Sequence, residues 1–94
     1  MTFSPDFVPR RVEGTEASRL GADFVLLDSA GKMLRGLNAT GAKVWELIDG
    51  CRSAEEIAAH LASDAGAPLE RVRPDVLSFL GQLFDRRLVT GGGR

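Results

Sequence analysis

"GLNATGAKVWELIDG", Gly36 to Gly50, carries the start, body and end of one helix in a single short run. Asn38 can cap it by accepting hydrogen bonds from the amides that follow, with Thr40 and Gly41 in the first turn. Val44, Trp45, Leu47 and Ile48 recur at helical spacing as an apolar stripe, and Asp49-Gly50 supplies a left-handed stop.

Directly before this helix, "DFVLLDSAGKMLRGLN" alternates two β-prone runs with a turn. Asp23 to Asp28 forms one arm of a hairpin, Ser29-Ala30-Gly31 the loop, and Lys32 to Leu37 the second arm. Gly31 stands where a three-residue loop needs a left-handed residue. Phe24, Val25, Leu26 and Leu27 are apolar on both faces, which puts this strand in the middle of a small sheet. Lys32 and Arg35 mark the next strand as the more exposed one. Further upstream, "RRVEGTEASRL" (Arg10 to Leu20) is at best a weak edge strand, and residues 1–9, with Pro5 and Pro9, read as an irregular arm.

Downstream, Ser53 and Glu56 have the spacing of a capping box. The helix they open has Ile57, Ala58, Leu61 and Ala62 on its inner face and ends at Gly66-Ala67-Pro68. A third helix starts between Leu69 and Pro74 and runs to about Arg87. Pro74 fits its first turn, since deeper placement costs about 3 kcal/mol. Val72, Val76, Phe79, Leu80 and Leu83 define one face, and Leu77, Phe84 and Leu88 widen it toward a second. A brief extended segment at Leu88 to Thr90 precedes a mobile tail, residues 91–94. The expected architecture is α+β and winged helix-turn-helix-like, a three-stranded antiparallel N-terminal sheet followed by three helices, in one domain spanning 10–90.

Composition agrees with that scale. The chain has 94 residues, 44% apolar and 27% charged, enough for one modest core. No apolar run approaches a bilayer span, so a cytoplasmic location without a membrane partner is the expectation. A net charge of −1 argues against nucleic acid as a partner. Cys51 is the only cysteine and His60 the only histidine, which precludes an intrachain disulfide and leaves a zinc site short of ligands; no metal or cofactor is implied. His60 reads as solvent-facing and lacks a nucleophile partner, Glu55-Glu56 as serving the helix cap and dipole, and Trp45 as core. Arg10-Arg11 and Arg86-Arg87 read most simply as solvated surface. Lys32 and Arg35 either protect an edge from aggregation or flank a docking rail for an extended peptide.

The run "VLLDSAGKMLRGLNATGAKVWELIDGCRSAEEIAAHL" followed by "VRPDVLSFLGQLFDRRLV" resembles the PqqD-like family, whose fold recurs as the recognition element for ribosomally made, post-translationally modified peptides (RiPPs). Carriers of the likeness are Leu37-Asn38, Trp45, Asp49-Gly50, Glu56-Ile57, Leu61, Asp75-Val76, Phe79-Leu80 and Leu83. Their order and spacing are more distinctive than any one of them. The turn "DSAG" departs from the "YPEG"-like turn of PQQ-pathway members, which favours the broader peptide-binding label.

The resemblance implies a non-catalytic chaperone that binds the leader of a precursor peptide and hands it to a modifying enzyme such as a radical-SAM maturase. The leader would add antiparallel to the third strand, along Lys32, Met33, Leu34, Arg35 and Gly36. The third helix would face it with Val72, Val76, Phe79, Leu80, Leu83 and Arg86. Two other classes compete: a small helix-turn-helix DNA-binding regulator, disfavoured by a second helix without lysine or arginine, and a structural homodimer that covers the open edge with another copy.

Overall fold

The computed structural model describes residues 6–92 except 22 and 38, with the backbone alone described at 20, 35 and 36. Strands and helices follow in the order β1 (Val8–Arg11), β2 (Glu16–Leu20), β3 (Asp23–Leu27), β4 (Met33–Leu37), α1 (Ala39–Leu47), α2 (Ala54–Ala65), α3 (Leu69–Asp85) and β5 (Val89–Gly92). The fold is α+β: three helices and two small antiparallel sheets, ordered β2-β3-β4 and β1-β5.

The three-stranded sheet has β3 at its centre, as its two apolar faces require. Leu26 and Phe24 on one face of β3 lie opposite Leu34 and Leu37 of β4, and all four pack on the helical core. The other sheet joins the two ends of the described chain. Val8 pairs with Gly92 and Arg11 with Val89, and the Val12 amide continues the pairing to the Leu88 carbonyl at 3.0 Å. This revises the expected boundaries, because β1 runs into the supposed arm and β5 into the supposed tail. Phe7 is buried, and its carbonyl accepts from the Ala54 amide at 2.7 Å, one of the donors that a helix start leaves without an internal partner. Gly91 makes the pairing feasible: its φ is +141°, and a Cβ there would collide with the Val8 carbonyl oxygen.

The helix boundaries follow their signals. Ser53 Oγ accepts from the Glu56 amide at 3.1 Å, and Glu56 Oε1 accepts from the Ser53 amide at 2.9 Å. Gly66 ends α2 in the left-handed conformation. Asp49 Oδ1 takes the amides of Cys51 and Arg52, both at 2.9 Å, which fixes the turn after α1 with Gly50 at φ +80°. The expected cap at Asn38 lies outside the described residues. Pro74 is the exception: α3 begins at Leu69, so the proline sits in the second turn instead of the first. It withholds the amide that would serve the Glu70 carbonyl, and since both residues are exposed, water can take that role.

Two surface expectations also change. Arg11 is a packing residue: its guanidinium lies 4.8 Å from the Trp45 ring centroid and donates to the Trp45 carbonyl at 2.6 Å. Glu55 does more than favour the helix dipole. It binds Arg73 through two parallel hydrogen bonds, Nε to Oε1 at 2.6 Å and Nη2 to Oε2 at 2.8 Å, tying α2 to α3.

Replacing Gly91 with Ala is expected to cost roughly 1–3 kcal/mol through the backbone collision and forbidden φ, whereas Gly92→Ala, with open space around its Cβ, is expected to be nearly neutral. Urea midpoints of the two variants check this, and equal midpoints would mean that the β1-β5 pairing contributes nothing. The Arg73 hydrogen bonds, with the arginine's charge adding, hold the Glu55 carboxyl below its ordinary value of 4.5. A depressed carboxyl stabilises the fold above its unfolded pKa and ceases to as pH falls through the folded one. The stability advantage of the wild type over Glu55→Gln is therefore expected to be full at neutral pH, to shrink below pH 4.5 and to vanish in stronger acid. A gap that stays constant across that range would exclude the pair as its source.

Candidate functional site

The turn before β4 is held by hydrogen bonds of its own. Asp28 donates its amide to the Lys32 carbonyl at 2.9 Å and accepts at its own carbonyl from Gly31 at 3.0 Å. Its Oδ1 accepts from the amides of Ala30 and Lys32 at 2.9 and 2.8 Å. Lys32 is thus turned inward toward β3, and antiparallel strands alternate the direction of their backbone groups from residue to residue. Met33, opposite Leu27, therefore points its N–H and C=O away from β3. Since β4 is the last strand of its sheet among the described residues, those groups face an open edge.

The edge is regular only at its start. Leu26 pairs with Leu34 but Phe24 with Leu37, so β4 spends one residue more than β3 across Arg35-Gly36. Such a bulge twists the strand and interrupts the row of groups available for pairing.

Opposite this start, α3 ends. The Leu88 amide donates to the Leu83 carbonyl at 2.9 Å and the Arg87 amide to the Phe84 carbonyl at 3.0 Å, the paired bonds of a Schellman termination. A groove of about 290 Å³ lies between the two elements. Asp28, Lys32, Met33 and Leu34 form its strand side; Asp85, Arg86, Arg87 and Leu88 form its helix side. At Asp85 it meets a second concavity of about 490 Å³ along α3, lined by Arg73, Pro74, Leu77, Ser78, Gly81 and Gln82. Sharing Asp85, they adjoin as one trough, its first part between β4 and the end of α3 and its second part lined by α3 alone.

The structure brings Lys32, Met33, Leu34 and Arg86 of the expected site to this groove, and Arg35 and Gly36 follow on β4. It does not bring the rest. Val76, Leu80 and Leu83 are 1%, 0% and 0% exposed in the core, and Val72 and Phe79 pack against that core. The centre of the α3 stripe is consumed by the fold, so the trough uses the next flank, where Leu77 broadens the stripe and the buried Gly81 keeps the surface low. Leu77, which widens the stripe, was the legible signal for that flank. Asp28, Asp85, Arg87 and Leu88 had none, because their meeting depends on how a turn and a helix end are juxtaposed.

The lining offers cations, carboxylates and an apolar floor, and contains no histidine or cysteine. His60 lies elsewhere, 3.5 Å from Asp64 on the exposed side of α2. Among the described residues no cluster of three or more potential metal ligands occurs, and no helix is long and apolar enough to cross a membrane. An open backbone edge beside a shallow amphipathic trough is suited to hold an extended chain.

No curated protein matches the chain by sequence. Solved structures share the fold, two of them informative here. One is TbiB1 in complex with the TbiA(beta) leader peptide, 22% identical with a TM-score of 0.75, the match covering 90% of this chain and 99% of that one. The other is the solution NMR structure of the PqqD truncation of Methylobacterium extorquens PqqCD, described as a functional and stand-alone RiPP recognition element, 26% identical with a TM-score of 0.78 over 94% of each chain. The family model for coenzyme PQQ synthesis protein D (PqqD) matches residues 23–89, from the start of β3 to the first residue of β5. With most of its length inside that match, the chain belongs to the PqqD family.

Proposed function

We propose that this protein binds the leader of a ribosomally made precursor peptide as an added antiparallel strand on β4 and presents it to a modifying enzyme, without catalysing a reaction itself. The observation that carries the reading is Met33, whose backbone N–H and C=O face the open edge at the mouth of the trough. The TbiB1 complex with a leader peptide and the description of the PqqD truncation as a recognition element support it. The docked segment would pair with Lys32 to Gly36, most regularly around Met33 and Leu34, and lay side chains toward Leu77, Gly81 and Arg86. A radical-SAM maturase in the cytoplasm is the kind of enzyme such a carrier would serve. Micromolar affinity, about 8 kcal/mol, is within reach of a few backbone hydrogen bonds and one or two buried anchors.

Met33→Pro isolates the backbone contribution. Proline removes an N–H that faces outward and is tolerated on an edge strand, and the Met33 side chain is 44% exposed, so the fold is expected to persist. In an NMR titration with the leader of a short precursor encoded beside its gene, the wild type should show amide shifts along β4 and the Leu77 to Asp85 flank. The variant should bind at least about tenfold more weakly. A folded Met33→Pro protein with undiminished affinity would exclude strand addition at this edge.

A further inference from the structure

The groove mouth contains the one described residue other than glycine with a positive φ, Arg87 at +60°. Gly14, Gly21, Gly31, Gly50, Gly66 and Gly91 fill every other described position of that kind. Glycine is also the ordinary occupant of this place in a Schellman termination. Arginine there is strained, and no hydrogen bond or ion pair of its side chain compensates, nor do Lys32 and Arg86 beside it enter any ion pair among the described residues. The fold therefore gains nothing visible from Arg87, which stands exposed on the groove wall. Strain that the fold does not need points to function.

We propose that Arg87, assisted by Lys32 and Arg86, is a carboxylate clamp that selects an Asp or Glu side chain in the bound peptide, just C-terminal to the segment paired with β4. The inference rests on the strand-addition reading, which fixes the direction. A guest antiparallel to β4 runs from the Leu37 end toward Lys32, so its C-terminal part passes the end of α3. Asp28 and Asp85 also line the mouth, but one Asp28 oxygen already accepts two amides, and the three cations outnumber the two carboxylates. Arginine's planar fork suits a carboxylate bidentately, which a lysine cannot match.

The test pans a random dodecapeptide display library against the wild type and Arg87→Gly, then titrates the selected peptides by NMR while following the Met33 amide. The wild type should enrich Asp or Glu at the C-terminal end of the docked segment. Arg87→Gly should melt at a higher temperature yet bind those peptides about tenfold more weakly, and Asp→Asn in the peptide should cost the wild type a similar factor and the variant none. Arg87→Lys, equally strained, should keep a weakened acidic preference. If selected peptides move the Met33 amide but the preference is absent, or survives in Arg87→Gly, the clamp is overturned and strand addition stands. If they leave the Met33 amide unmoved, strand addition fails and the clamp with it.

Discussion

Leu26 from β3, Ile57 from α2, and Leu80 and Leu83 from α3 each keep no exposed surface, and their mutual burial joins the sheet to the helices. Burying side chains of this size is worth roughly 1.5–3 kcal/mol each, so few other contacts in so short a chain can compete. The arrangement has a cost in surface. It commits the centre of the α3 stripe to the interior, leaving only the helix's flank and its end to meet anything from outside. β4 contributes Leu34 and Leu37 to the same core while no described strand pairs with its far edge. The groove is what remains where the start of an edge strand and the end of a helix are both anchored to one core.

Signals confined to a few neighbouring residues were legible in the sequence. The capping box of Ser53 and Glu56, the stop at Gly66, the hairpin around Gly31 and the central place of β3 all rest on local chemistry or on a two-faced apolar run. What depended on distant partners was not. "VTGGGR" looks like a flexible end until Gly91 meets the Val8 carbonyl across the whole length of the chain. Arg11 reads as solvated surface and Glu55 as a charge serving the helix cap and dipole because their partners, Trp45 and Arg73, lie 34 and 18 residues away.

The site shows the same division. The hairpin defines the strand that holds Lys32 to Gly36, and the family resemblance marks that strand as the docking rail, so the strand side of the groove could be named in advance. The helix side could not, because a broad apolar stripe cannot say which of its two borders is turned to the core. Burial places Val76, Leu80 and Leu83 inside, while the half-buried Leu77 packs on the core and still borders the trough together with Asp85. A bulge at Arg35-Gly36 adds a constraint that no propensity forecasts, since it restricts regular pairing to the first half of the strand.

The pairing of β1 with β5 sets Val8 directly across from Gly92. Antiparallel partners stand about 5 Å apart, so the backbone enters and leaves this fold at nearly one point. A unit with that geometry can be spliced into a surface loop of a larger protein without prying the loop's anchors apart, and a linker at either end would emerge from the same place.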